Sequence, residues 1–200
     1  MKNEFEEIKK LFLKKGGYVR TKDIVEAGIN KYHLYQMLDL GMIAKVKRGL
    51  YLWYDNYNYG NELVEVSKIV HNGVICLLSA LDYYEIGTYS PWQHHVAIHR
   101  SSHRPSIPKY PPIQIFYFST TQFETGIEDI DIEGNKVKIY DLEKTLCDCF
   151  RFRDEVGLDI VKEALKEYVK RKDRDINKLL KYAEITNVSG LLKTYLEVLI

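Results

Sequence analysis

GGYVRTKDIVEAGINKYHLYQMLDLGMIAKVKRGLYLW, residues 16–53, decides the fold of the N-terminal part of the chain. Thr21 and Asn30 have the chemistry of helix N-caps, and Gly41 ends the helix that Asn30 begins. Apolar and β-branched residues flank Lys47-Arg48-Gly49, which predicts a hairpin with a three-residue basic loop. The stretch therefore predicts an extended segment, two helices and two strands, over residues 18–20, 21–27, 31–40, 43–46 and 50–53.

Upstream of this stretch, residues 3–15 predict an amphipathic helix. Apolar residues recur there at helical spacing, at Phe5, Ile8, Leu11 and Phe12. Gly16 and Gly17 end the helix. The order helix, helix, turn, helix, β-hairpin is that of a winged helix-turn-helix, which we expect over residues 5–53 to bind double-stranded DNA.

The remainder of the chain predicts a second unit with mixed secondary structure. Residues 55–61 are polar, aromatic and rich in turn formers, which places a domain boundary there and predicts domains at 1–55 and 56–200. Helices are expected at 62–71 and 77–86, and strands at 94–99, 113–118, 128–132 and 137–140. Four amphipathic helices follow residue 141. The predicted class is α+β: an N-terminal winged helix-turn-helix, then a mixed α/β domain that ends in a helical bundle.

Charge is distributed unevenly along the chain. Residues 1–54 hold 11 Lys/Arg against 6 Asp/Glu, and the remainder holds 18 against 22. Only the basic N-terminal part is therefore expected to meet a polyanion. The apolar runs are too short to span a bilayer, and three cysteines in no framework spacing indicate a reducing interior. We expect a cytoplasmic protein with no membrane partner, no cofactor and no metal site.

The DNA-binding prediction rests on three groups of residues. If Leu34, Met37 and Leu38 face the core, the opposite side of the third helix reads the bases, since glutamine can bond an adenine edge and tyrosine a phosphate or thymine methyl. The start of the second helix and the wing contact the backbone or minor groove. The predicted DNA-binding residues are Arg20, Thr21, Lys22, Asn30, Lys31, Tyr32, Tyr35, Gln36, Lys45, Lys47 and Arg48.

Histidine and cysteine residues in the body suggest little metal or redox chemistry. His95 and His99 would share a strand face about 13 Å apart, too far for one ion at ~3.3 Å per residue. Residues 99–104 instead predict a basic loop, in which Arg100, His103 and Arg104 are candidates to hold a phosphate, RNA or an acidic partner, although a solvated loop is the favoured interpretation. Cys147 and Cys149, on opposite faces of a helix, are expected in the core.

A paired-carboxylate motif, Asp129-x-Asp131, supports an enzymatic alternative. Nucleotidyltransferases hold a metal-bound triphosphate with such a pair, because two carboxylates on one strand face can bridge Mg²⁺. They also need an upstream Gly-Ser turn, and the chain has no Gly-Ser dipeptide. An acidic hairpin is the competing interpretation, and we do not expect an enzyme.

Several motifs in a fixed order resemble AbiEi-type antitoxins, the antitoxin halves of AbiE abortive-infection, type IV toxin–antitoxin systems of phage defence. The resemblance covers nearly the whole chain. It is carried by residues 16–24, 41–51, 78–81, 91–98, 116–119, 126–128, 139–150 and 153–159.

The resemblance implies two activities. The N-terminal domain would bind inverted repeats in its own promoter and repress transcription. The C-terminal domain would counteract a nucleotidyltransferase-like toxin without a stable complex. The alternative within regulation is a stand-alone winged-helix regulator whose C-terminal domain senses a ligand or partner.

Overall fold

The computed structural model describes residues 2–54 and 61–199, so the domain boundary predicted at 55–61 lies almost entirely outside the described residues. We call residues 2–54 the head and residues 61–199 the body. The head contains α1 (Lys2–Lys14), β1 (Tyr18–Arg20), α2 (Thr21–Glu26), α3 (Lys31–Asp39), β2 (Ile43–Lys47) and β3 (Leu50–Trp53).

The head is the winged helix-turn-helix that the sequence predicts. Its three strands pair antiparallel in the order β1-β3-β2, and its helices close over one side of the sheet. The helix spacing explains the core, because the apolar stripe of each helix faces inward. The buried residues of this core are Ile8, Phe12, Val19, Ile24, Leu34, Met37, Ile43 and Tyr51.

Two local predictions in the head are wrong. Thr21 is the first residue of α2 rather than its N-cap: Arg20 takes that position, and its backbone N–H donates to the carboxylate of Asp23 at 2.7 Å. The wing loop has two residues rather than three, because β2 extends through Lys47 after an irregularity in its pairing with β3.

The body begins with a helix and is organised around a sheet. Its first half contains α4 (Glu62–Ile69), β4 (Val74–Ile75), α5 (Leu77–Tyr83), β5 (His94–His99), β6 (Ile113–Phe118), α6 (Thr120–Glu124), β7 (Ile127–Ile132) and β8 (Asn135–Tyr140). The strand order is β6-β5-β4-β8-β7, with parallel β5/β6 and β4/β8 pairs and antiparallel β4/β5 and β7/β8 pairs. The predicted strands are confirmed, whereas β4 and α6 were not predicted.

Five helices complete the body: α7 (Leu142–Arg151), α8 (Arg153–Val156), α9 (Leu158–Tyr168), α10 (Ile176–Ile185) and α11 (Ser189–Leu199). Asp141 caps α7, as predicted, by accepting a hydrogen bond from Lys144 N at 2.8 Å. Helices α5, α7, α9, α10 and α11 share one large core with the sheet. No helix among the described residues is long and apolar enough to cross a bilayer.

A second core joins the head to the body on the other side of the sheet. Tyr18 and Leu50 of the head are buried with Ile69 of α4 and with Ile98 and Ile139 of the sheet. Gly16 also lies against the β7–β8 hairpin: a Cβ there would fall 2.1 Å from Asn135 Oδ1. The head is therefore fixed to the body by shared apolar packing rather than by a linker alone.

Helix α7 is buried on all sides from Leu142 to Phe150, including three of its charged residues, whereas Arg151 at its end is exposed. Lys144 and Asp148 are both fully buried, and their side chains form an ion pair 2.5 Å long. The ammonium of Lys144 also lies over the rings of Tyr140 and Phe118, 4.4 and 4.9 Å from their centroids. Cys147 and Cys149 are buried beside it, which confirms them as core cysteines.

Candidate nucleic-acid interface

Helix α3 presents its polar side to solvent, as the helical spacing predicts. Leu34 and Met37 are fully buried, whereas Tyr32 and Tyr35 are 59% and 43% exposed. Lys31 is also exposed, and no carboxylate is paired with it among the described ion pairs. The aromatic and amide groups expected to read DNA therefore do lie on the outer side of the helix.

Gln36 is held in one orientation by its neighbours on α3. Its Nε2 donates to the hydroxyl of Tyr32 at 3.1 Å, and its Oε1 lies 3.2 Å from Nδ1 of His33. A fixed amide loses less entropy on binding a base edge than a freely rotating one. Asn30, by contrast, uses its side-chain oxygen to accept the backbone N–H of Tyr32 at 2.9 Å and so serves mainly as the helix cap.

The start of α2 and the exposed side of α3 both lie near Tyr51 of β3. Burial, followed by the nearby Tyr35 of α3, raises the pKa of Tyr51, and Thr21 of α2 acts on the same hydroxyl. Lys22, the next residue, is exposed and lies 3.4 Å from Glu26 one turn later.

The basic residues of the wing face in different directions. Lys45 and Arg48 are exposed, whereas Lys47 is half-buried and directed toward the body. The Lys47 ammonium donates to the carbonyls of Ile69 at 2.7 Å and Ser106 at 3.3 Å. Burial, followed by the nearby Arg20 guanidinium, lowers the pKa of Lys47.

Arg20 is also directed toward the body. Its guanidinium donates to the carbonyl of Lys68, at the end of α4, at 3.1 Å. Arg20 and Lys47 therefore hold the head against α4, and the structure does not place their charged groups with the exposed side of α3. Of the predicted residues in α3 and the wing, Lys31, Tyr32, Tyr35, Lys45 and Arg48 are exposed and Gln36 is partly exposed, and we call these six residues the outer face.

The predicted basic loop of the body lies next to the wing. Arg100, His103 and Arg104 are exposed in the connection between β5 and β6. At its start, His99 is fixed by Ser101 and Thr120, with ring-nitrogen to hydroxyl distances of 2.6 and 2.9 Å. Farther along, Ser106 accepts the hydrogen bond from Lys47. Lys47 of the wing and Ser106 of this connection, 59 residues apart in sequence, thus meet in the fold.

The residues of the alternative chemistries lie in different surroundings. Asp129 and Asp131 are exposed on the edge strand β7, directly across from Lys138 and Lys136 of β8. His94 pairs with Glu62 at 2.9 Å, whereas His95 points into the core. Within the described residues, no group of three or more His, Cys, Asp or Glu side chains is arranged to hold a metal ion.

A family model matches the head. Residues 6–52 match the model of the family described as "Transcriptional regulator, AbiEi antitoxin", which is not a family of enzymes. This match confirms the resemblance to AbiEi-type antitoxins over the winged helix. No curated protein matches the chain significantly.

A solved structure extends the comparison to the body. The RV2827C protein from Mycobacterium tuberculosis is similar in fold, with a TM-score of 0.51 and 10% sequence identity. The similarity covers 98% of this chain and 81% of that protein. The two proteins therefore share a fold that includes both head and body. At 10% identity the similarity shows the fold alone.

Proposed function

We propose that this protein is the antitoxin and transcriptional repressor of a type IV toxin–antitoxin system. The head binds inverted repeats in the protein's own promoter. The body counteracts a nucleotidyltransferase-like toxin without forming a stable complex with it. The observation that supports the proposal most directly is the outer face, which lies within the residues that match the regulator family.

The outer face has the composition that a DNA groove requires. We assign base reading to Tyr32 and Tyr35, which are exposed on α3, and to the amide of Gln36, which the Tyr32 hydroxyl orients. Lys31, Lys45 and Arg48 supply positive charge around them, suited to phosphate contacts. Thr21 and Lys22 add to this surface at the start of α2, and the loop with Arg100, His103 and Arg104 extends it beyond the wing.

Mobility shifts with the full-length protein on its promoter test the repressor function. The head and body share a core, so separated fragments are unsuitable. Arg48→Ala should weaken binding to all sequences and reduce the slope of log K against log salt by about 1, because one phosphate contact is lost. Arg174→Ala removes the same charge from an exposed position far along the body and serves as the matched control. Equal salt slopes for the two variants would show that Arg48 of the wing does not contact the DNA.

Growth rescue tests the antitoxin function. The wild-type protein, expressed from an unrelated promoter, should restore growth to cells that express the candidate toxin. The double variant Gln36→Ala/Arg48→Ala should restore growth equally, since neutralisation is assigned to the body. Failure of the wild type to restore growth would reject the antitoxin function, and failure of the double variant alone would show that neutralisation needs the outer face.

The basic loop offers a second comparison in the same assays. The variant Arg100→Ala/His103→Ala/Arg104→Ala should weaken promoter binding if the loop continues the DNA surface. Loss of rescue with normal promoter binding would instead assign the loop to the toxin-related function. Co-elution of antitoxin and toxin in size-exclusion chromatography would contradict the proposed absence of a stable complex.

A further inference from the structure

A cleft of about 580 Å³ lies between the head and the body and is lined by residues of both. Six lysine and arginine residues that line it come from both units: Lys14, Lys15, Arg20 and Lys22 of the head, and Lys68 and Lys136 of the body; His71 of the body lines it as well. We call this site the interdomain cleft. Its volume is in the range of sites that hold small ligands.

Positive charge exceeds negative charge in the interdomain cleft. Its two lining carboxylates, Asp23 and Glu26, already have cationic partners, with Lys15 Nζ 2.5 Å from Asp23 and Lys22 Nζ 3.4 Å from Glu26. Lys68 and Lys136 have no ion-pair partner among the described residues. The cleft therefore holds uncompensated cations that a dianionic ligand would neutralise.

The cations of the cleft are close enough to repel one another. Burial, followed by Arg20 and Lys15, lowers the pKa of Lys68. Burial, followed by Arg20 and Lys47, lowers the pKa of His71. Mutual repulsion of this kind is unfavourable in the free protein and is relieved when an anion binds between the charges.

The walls of the cleft are fixed by the fold. On the head side, the Arg20 guanidinium is held by the Lys68 carbonyl at 3.1 Å. On the body side, Gly16 packs against Asn135, the residue before Lys136, so closely that no Cβ would fit. The cationic groups are thus presented by a preformed joint, which lowers the entropy cost of binding.

We infer that the interdomain cleft binds a phosphate group, held jointly by the head and the body. The phosphate comes either from a free phosphorylated ligand or from the backbone of DNA that runs from the outer face across the start of α2. Both sources present the same doubly hydrogen-bonding, anionic oxygens to lysine and arginine. With DNA as the source, the inference rests on the proposed repressor function; with a free ligand it does not, because that ligand would bind without promoter DNA.

Two lysines on one strand provide the matched pair for the test. Lys136 and Lys138 are both exposed on β8, two residues apart and on the same face, and lie opposite Asp131 and Asp129 respectively. Lys136 lines the cleft and Lys138 does not. Lys136→Ala and Lys138→Ala therefore remove the same charge from similar environments, and Lys68→Ala/Lys136→Ala removes two lining charges.

The first measurement is binding of inorganic pyrophosphate to the full-length protein by calorimetry, at constant ionic strength. A free-ligand site predicts equal binding by wild type and Lys138→Ala. It also predicts that Kd rises about tenfold or more in Lys68→Ala/Lys136→Ala, because this variant loses charge-assisted hydrogen bonds to the pyrophosphate. If the double variant does not fold, Lys136→Ala alone replaces it, since Lys136 is at an exposed strand position, and its Kd for pyrophosphate should also rise.

The second measurement is the salt dependence of promoter binding. A DNA phosphate in the cleft predicts no pyrophosphate binding, and a salt slope that falls by about 1 in Lys136→Ala but not in Lys138→Ala. The inference is overturned if Lys136→Ala and Lys68→Ala/Lys136→Ala match Lys138→Ala in both measurements. Pyrophosphate binding without any promoter binding would reject the repressor function and leave the phosphate site standing.

Discussion

The head and the body place their charged residues in opposite environments. In the head, Lys31, Lys45 and Arg48 are exposed around a recognition helix, where each charge is free to meet a ligand. In the body, Lys144 and Asp148 are withdrawn from water at the centre of α7. Under the proposed function the exposed charges of the head serve binding, whereas the buried charges of α7 belong to the fold, so substitutions in the two sets should have different consequences.

The largest effect on stability is expected when one of the two buried charges of α7 is removed. Asp148→Asn leaves the Lys144 ammonium without its carboxylate and should lower the free energy of unfolding by about 3–5 kcal/mol. Urea denaturation at neutral pH measures this change. Asp159→Asn is the control, because Asp159 is fully exposed and 3.7 Å from Lys162, and surface pairs of this kind contribute little.

Removal of both charges sharpens the same prediction. Lys144→Met/Asp148→Leu should be more stable than Asp148→Asn, since no uncompensated charge remains in the core. Burial raises the pKa of Asp148 to about 6, against the opposing effect of Lys144, which shows that desolvation is the dominant cost at this site. A single variant as stable as wild type would contradict a structural role for the pair.

The second effect depends on pH and arises from His95 in the body. Burial, followed by the neighbouring His94, lowers the pKa of His95 from 6.5 to about 4. Between these values the unfolded chain binds a proton that the folded chain does not, so stability falls as pH decreases from about 6.5 to 4. The loss amounts to about 3 kcal/mol at most.

His95→Phe tests this pH dependence, because the ring lies 5.0 Å from Phe116 in an aromatic environment. Urea denaturation at pH 7.5 and 4.5 measures the free energies of unfolding of wild type and variant. Relative to wild type, the variant should be more stable at pH 4.5 than at pH 7.5. The raised pKa of Asp148 acts in the opposite direction over part of this range but is common to both proteins. The exposed His103→Phe should leave the pH dependence unchanged.

The sequence predicts much of the body's secondary structure but not the environment of its charges. Strands β5 and β6 match their predicted bounds because turn-forming residues flank them, and the Asp141 cap and the core cysteines were foreseen. Strand β4 was missed because it has two residues, too few for any periodicity to show. Burial of Lys144 was missed because both faces of α7 are covered by elements distant in sequence.

The head shows the same limit at its boundary with the body. Helical spacing predicts the exposed side of α3 correctly, since that side is set by local geometry. The inward orientation of Arg20 and Lys47 depends on carbonyl groups of Lys68 and Ile69, which the fold brings to the head from α4. The residues of an isolated motif are thus predictable, whereas contacts between units are not.

A smaller effect is expected from the residue that reads sequence on the outer face. Gln36→Ala should reduce discrimination at one base pair of each repeat by about 1–3 kcal/mol and leave the salt slope unchanged, because it removes a base contact and no charge. Competition binding with single-base operator variants measures the discrimination. Lys31→Ala provides the contrast, with a lower salt slope and unchanged base preference. If Gln36→Ala weakened binding to every sequence alike, Gln36 would be a positioning residue.

The smallest effect compares two adjacent basic residues of the wing that face opposite ways. Lys47→Met keeps the aliphatic part of the side chain and removes the hydrogen bonds to Ile69 and Ser106, which should lower the free energy of unfolding by about 1 kcal/mol. Arg48→Ala should leave stability within about 0.5 kcal/mol of wild type, as is usual for exposed positions. The salt slope of promoter binding should show the reverse, with Arg48→Ala altered and Lys47→Met close to wild type. If Lys47→Met instead lowered the salt slope and left stability unchanged, Lys47 would belong with the outer face, and the division of the wing into a binding side and a docking side would be wrong.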